Sequence, residues 1–434
     1  MPETIRTIEA YEILTGPGRP TVEVELTTSG GIRATASVPS GTSTGAYEAK
    51  SLFDGGTRYR GFGVKNAVEN VNRIIAPALT GEEVSGQAHI DRRLIDLDGT
   101  PAKEELGGNA ILPVSLAVAK AAALAAGMPL YRYLGGIGAT RLPMPIATVI
   151  AGGAHSPAPL DFEDYLINLD GFADFASALE ALAAIHHTLG GLLKKRFGDV
   201  ADSGGAYAPP LGGNDEAFET ILEAVRKAGF AGRVSLGLDI VGTDLFVPER
   251  GTYRISGREM SAQEYTAYLV ELTRRYPLEL IEDAFHEDAF ASQAALTALL
   301  PGQTIVGDDL FATNAARLSR GIAERAGNTI LLKVNQAGTL TEAIGAGLLA
   351  RNNGFGVIVS LRSNDTNEDF IADLAVALGA GRIKLGGPVR GERNAKYNRL
   401  LRIERQLGAE ALFAGSRPGN GLPSGMTRLK EDRT

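Results

Sequence analysis

The chain has no cysteine among its 434 residues, which excludes disulfide bridges, thiolate zinc sites and a cysteine nucleophile. It has no surplus of positive charge either. With a formal net charge of −8, no nucleic-acid footprint is visible, and phosphate recognition must come from local basic residues and metal ions. No apolar run is long enough to cross a membrane: the most apolar stretch, residues 111–130, is alanine-rich and interrupted by Lys120, which predicts a packed helix. Residues 1–10 are polar and charged, which predicts no secretory leader and a cytoplasmic location. What remains is ordinary for a globular protein, 44% hydrophobic and 22% charged, with 54 glycines that imply many tight turns. That length can bury a large core and predicts more than one domain.

One stretch organises the rest. In residues 328–340, NTILLKVNQAGTL, the run Ile330-Leu331-Leu332 reads as a strand buried on both faces, and it delivers Lys333 where the strand runs out. A lone lysine there is most simply a snorkelling side chain with a solvated tip. Burial would instead lower its pKa toward the range where a neutral amine acts as a base. Three other strand-like runs also end in acids: residues 234–240 in Asp239, 278–283 in Glu282 and Asp283, and 304–309 in Asp308 and Asp309. A single acid in such a place often caps the next helix. In a barrel of parallel strands this is the end where sites are built, and converging carboxylates there call for a cation, with Mg²⁺ suiting hard oxygen ligands.

The first part of the chain reads as an antiparallel meander followed by helices over residues 63–77, 84–97 and 109–127. Between them, PSGTSTGAYE at residues 39–48 is a loop whose backbone can approach a ligand closely, or a plain surface linker. A domain boundary is expected near residue 137. From residue 142 strand-like and helical stretches alternate, which indicates parallel strands with crossover helices and enough units for a closed barrel. The expected division is residues 1–137, 138–414, and a disordered tail at 415–434, which has no apolar period. Further strand ends carry His155 after two glycines, then Glu163 and Asp164. Arg362-Ser363 is a reasonable phosphate clamp, and Lys384 precedes Gly386-Gly387. His186 and His187 lie on an amphipathic helix and read as packing or surface residues; His89 reads as structural, and His286 fits either role.

PTVEVELTT, PSGTSTGAYEA, GGNAILPVSLAVAKAAA, LIEDAF, VGDDLFATN, ILLKVNQAGTLTEA and NAKYNRLLRIE together resemble the enolase family, over nearly the whole chain. The resemblance implies an α/β fold, an enolase-type β/α (TIM-like) barrel preceded by an α+β N-terminal lid domain. It also implies Mg²⁺, a small-molecule phosphate or phosphonate substrate, and a homodimer or larger homo-oligomer. By position, Asp239, Glu282 and Asp308 match the magnesium ligands, and Lys333 matches the base. Lys384 matches the lysine that holds the substrate carboxylate. Arg362 and Ser363 match the phosphate-binding pair, Ser43 the loop serine that reaches a second magnesium, and His155 the active-site histidine.

The departures fall on one half of that pattern. Where the family reads GDEGGFAPN, the chain has Ser203 in place of the glutamate that helps the hydroxyl leave. Where it reads SHRSGETED, Leu361 replaces a histidine, and the family's Gln-Glu pair is Glu163-Asp164. Serine is no carboxylic acid and leucine donates nothing, so the acid side is altered while base, metal and clamp remain. Three functions are compatible. The first expectation is a specialised paralogue forming carboxyphosphonoenolpyruvate in phosphonate biosynthesis. The second is ordinary phosphopyruvate hydratase, with Asp202, Glu163 or Asp164 as the acid. The third, a non-catalytic binder, sits poorly with buried charge that needs a cation.

Overall fold

The computed structural model describes residues 2–40, 45–154 and 156–415. The expected tail, except for Gly415, therefore lies outside the described residues. The N-terminal strands β1 (Ile5–Leu14), β2 (Pro20–Thr28) and β3 (Arg33–Ser37) form an antiparallel meander in that order. Its buried face is supplied by every second residue of β2, Val22, Val24 and Leu26, and is covered by helix α2 (Gly108–Ala125). Contrary to the sequence expectation, helix α2 is by length and composition apolar enough to span a membrane, but 83% of it is buried inside the protein, so it is the packed helix its alanines predicted. Helix α1 (Gln87–Asp98) packs beside it.

Eight strands close a barrel: β4 (Met144–Ala151), β5 (Asp164–Asn168), β6 (Ser235–Asp239), β7 (Leu278–Glu282), β8 (Thr304–Gly307), β9 (Thr329–Leu332), β10 (Gly356–Ser360) and β11 (Arg382–Lys384). Strand β11 pairs back to β4, which completes the ring. One expectation needs correction: β5 runs antiparallel to both β4 and β6. No helix forms among the described residues of the link from β4 to β5, so the chain turns back without a crossover.

Alternation along each strand explains the burial. Ile146, Leu166, Leu280, Val306, Leu331 and Ile358 form a separate apolar layer within the barrel. Their neighbours Ile281, Ile330 and Leu332 belong to the outer core against the helices, which is why these strands read as continuous apolar runs.

The N-terminal part docks where β9 ends. The backbone N–H of Leu340 donates to Ser115 Oγ at 3.0 Å, and that of Thr341 to Asp91 Oδ2 at 2.9 Å. Lys120 Nζ donates to both oxygens of Glu368, at 2.8 and 2.9 Å, just beyond β10.

Candidate active site

The site follows from the period of two. One step from the apolar layer toward the same end of each strand, the residues become Thr148, Asp164, Glu282, Asp308, Lys333 and Ser360. Asp239 lies beside both Asp164 and Glu282 in register, and Lys384 beside Ser360. A polar ring therefore sits directly on a dry floor.

Lys384 Nζ donates to Asp239 Oδ2 at 2.6 Å and to Glu282 Oε1 and Oε2 at 2.9 and 2.8 Å, with Asp164 at 4.0 Å. Burial pushes the Lys384 ammonium down, but Asp239 and Glu282 outweigh it and hold it well above the ordinary lysine range. Lys333 Nζ donates to Asp308 Oδ2. This reverses the expected direction at Lys333. Burial does disfavour its charged form, yet the Asp308 carboxylate holds it above the usual lysine value.

The turns around Lys333 hold it in place. Ala312 and Thr313 both adopt φ of +48°, which brings the Thr313 hydroxyl under the strand end. It accepts from the Lys333 N–H at 3.0 Å and donates to Gln336 Oε1 at 2.6 Å. Gln336 Nε2 in turn donates to Asp308 Oδ1 at 2.8 Å. Asp283, at φ +45°, accepts from the backbone N–H of Asp308 at 3.0 Å and of Asp309 at 2.7 Å, joining the ends of β7 and β8.

Acids outnumber bases here, and the carboxyls respond. Burial first, then repulsion among neighbouring acids, pushes Glu282 and Asp283 well above the ordinary carboxyl range, and Asp309 up to about 7. Asp164 is raised too, by burial, against the opposing pull of Lys384. Asp283, Asp308 and Asp309 each bring a carboxylate oxygen to within 4.8 Å of the others. Such a set fits a hard divalent cation. Asp308 is common to this cluster and to the expected trio with Asp239 and Glu282. Both oxygens of Asp283 are engaged with backbone N–H groups, which makes it the scaffold of the cluster.

Arg362 is buried, and its Nη1 donates to Glu48 Oε2 at 2.8 Å. Leu361 packs into the core beside it. Ser363 follows in the same loop after β10, and Glu163 immediately precedes β5. Ser203 ends the first strand of a small hairpin, Ala201–Ser203 with Ala206–Ala208, that is attached to β4. Its neighbour Asp202 is paired with Arg390 at 2.5 Å. His186 lies under the hairpin, its Nε2 2.9 Å from the Gly205 carbonyl and its ring stacked on Tyr207. His89 is 3.3 Å from Glu82. The His286 Nδ1 accepts from the Asp288 N–H at 3.2 Å, a local turn contact. Ser43 and His155 lie outside the described residues. Glu48, Gln336 and Thr313 are given no role by the sequence reading; Glu48 closes the 39–48 loop, and Thr313 and Gln336 follow the strand ends at Asp309 and Lys333.

A β/α barrel with one reversed strand, carrying facing lysines and carboxylates on the apolar floor, defines a class of cation-assisted sites at barrel strand ends. The chain belongs to the enolase family. Residues 5–134 match the model described as "Enolase, N-terminal domain" and residues 139–420 match "Enolase, C-terminal TIM barrel domain". Proteins named Enolase from Methanopyrus kandleri and Methanothrix thermoacetophila are 49% and 48% identical, each over 95% of this chain and 98% of the relative. That of Pyrococcus furiosus is 47% identical over 96% of this chain and 98% of its own length.

Proposed function

We propose that the chain is a phosphopyruvate hydratase, converting 2-phosphoglycerate to phosphoenolpyruvate and water. The observation that carries this reading is the polar ring that brings Lys333, Lys384 and the acids to one end of the barrel. The relatives named Enolase support it.

A divalent cation such as Mg²⁺, held by Asp239, Glu282 and Asp308, would supply positive charge beside the substrate carboxylate and make the adjacent carbon acidic. Lys384 faces that carboxylate, and Lys333, as the neutral amine, takes the proton from C-2. Asp308 has two claims on it: it pairs with the Lys333 ammonium, and once engaged by the cation it would no longer hold that proton on Lys333, leaving the neutral amine free to accept one. Arg362 and Ser363 hold the phosphate, with Ser43 and His155 completing the reading by family position.

Asp164 takes the part of the proton donor to the leaving hydroxyl. Its carboxyl is kept neutral more readily than a solvated one by burial, and Lys384 lies 4.0 Å away. Asp202 is less suited, since Arg390 holds it on the hairpin surface. The division near residue 137 and a homo-oligomeric assembly are part of the same proposal.

A second reading rests on Ser203 and Leu361: a specialised paralogue that keeps the proton-abstracting half and acts on a bulkier phosphonate, toward carboxyphosphonoenolpyruvate. The relatives give that reading no support. An assay with 2-phosphoglycerate and Mg²⁺ separates the two. Steady formation of phosphoenolpyruvate, abolished in Lys333→Ala, is the expected result. Exchange of the C-2 proton without loss of water would turn the conclusion to the second reading.

A further inference from the structure

Glu48 has no role in the reaction as described, yet its placement is unusual. It comes from the N-terminal part, is 2% exposed, and reaches across to the barrel. Arg362 Nη1 donates to its Oε2 at 2.8 Å; Gln336 Nε2 and the Gly45 N–H donate to its Oε1 at 3.3 and 3.2 Å. The next residue back points the opposite way. The Tyr47 hydroxyl donates to Asp288 Oδ1 at 3.0 Å, and its ring lies 3.7 Å under the Arg317 guanidinium. The following N–H, of Ala49, donates to the Gln336 carbonyl at 2.8 Å. The segment is thus fastened on three consecutive residues, which fixes the Glu48 carboxylate against Arg362.

We propose that Glu48 is a positioning residue that orients the Arg362 guanidinium toward the substrate phosphate, an inference that rests on Arg362 being a phosphate ligand. A long arginine side chain must surrender its rotamer freedom to present a fork, and a buried carboxylate on one edge pre-orders it. The two physical accounts of Glu48 differ in sign. Were it only a countercharge, removing it would make Arg362 more attractive to anions. If it orients the fork, removing it weakens anion binding.

The test is calorimetric titration of inorganic phosphate, with Mg²⁺ present, into the full chain and into Glu48→Gln, Arg362→Gln and the double variant. Melting curves monitor the fold. Glu48→Gln is expected to bind phosphate about tenfold more weakly and Arg362→Gln up to about 100-fold more weakly. The double variant should be no weaker than Arg362→Gln alone. In turnover, Glu48→Gln should raise KM with kcat little changed. Phosphate binding that is unchanged or tighter in Glu48→Gln, or losses that simply add, would overturn the proposal. If Arg362→Gln binds phosphate like the wild type, the clamp itself falls, whatever Glu48 does. Should Glu48→Gln not fold, Glu48→Asp keeps the charge on a shorter arm, and undiminished phosphate affinity there would equally refute the positioning role.

Discussion

The Lys384 ammonium donates to both oxygens of Glu282, at 2.9 and 2.8 Å, and both residues are buried. Removing one partner of a buried pair leaves the other charge unpaired, at a cost of about 3–5 kcal/mol. Lys384→Met should therefore lower stability, and more so as pH rises, because Glu282 then ionises with no cation beside it. Urea unfolding at pH 6 and pH 8 measures this. Added Mg²⁺ should restore more stability to the variant than to the wild type, since it replaces the missing positive charge.

Asp309 gives a pH window with a definite sign. Its carboxyl is raised from an ordinary 3.8 to about 7 by burial and then by Asp308. Across that interval the native state binds the proton that the unfolded chain has released, so stability contributed below 3.8 is lost as pH climbs through about 7. With EDTA present, the melting temperature should fall over this interval. Mg²⁺ should flatten the decline, and Asp309→Asn should flatten it without the metal. A melting temperature in EDTA that does not fall over this range would contradict the assignment.

Much of this site was legible because four of the barrel strands, β6 to β9, are runs of buried residues that give way abruptly to an ionisable one. Asp239, Glu282, Asp308 and Lys333 announced themselves in that way. The direction of β5 did not, because a short run buried on both faces reads alike in either direction, and the link before it carries no helix among its described residues to mark the reversal. The sign of the Lys333 shift was also hidden. Burial is a property of its own strand, but Asp308, which decides the outcome, comes from the neighbouring one. Glu48 was lost for the same reason, since its partner Arg362 lies more than three hundred residues away.

Gly338 supports the loop that carries Gln336. It sits at φ +89°, and a Cβ there would meet the Lys103 side chain at 2.4 Å and Ala49 Cβ at 3.0 Å. Lys103 cannot easily withdraw, because it is 3% exposed and its ammonium is 3.1 Å from Glu342. Gly338→Ala combines a left-handed backbone penalty of roughly 1–2 kcal/mol with that clash. It should lower the melting temperature and reduce kcat together, through displacement of Gln336 from Asp308. A variant with wild-type kcat would show that the Gln336 contact does not govern the site.

On the proposed reading Asp164 supplies the proton with which water leaves, where Ser203 offers no carboxyl. A general acid is worth about 10²–10⁴-fold in rate, so Asp164→Asn should cut dehydration of 2-phosphoglycerate by a factor of that order. Proton exchange at C-2, which depends on Lys333, should survive. The pH profile should carry the mark of the same carboxyl. Asp164 must be protonated to donate, and burial raises it while Lys384 and Arg393 pull it back, so the rate should fall on the alkaline side as it ionises. Ser203→Glu offers a second carboxyl on the hairpin. If Asp164 already supplies the proton efficiently, the added acid should change the wild-type rate little, yet rescue part of the loss in Asp164→Asn. A large gain in the otherwise unmodified chain would mean that the native site dehydrates this substrate poorly, and would shift the weight to the bulkier phosphonate substrate.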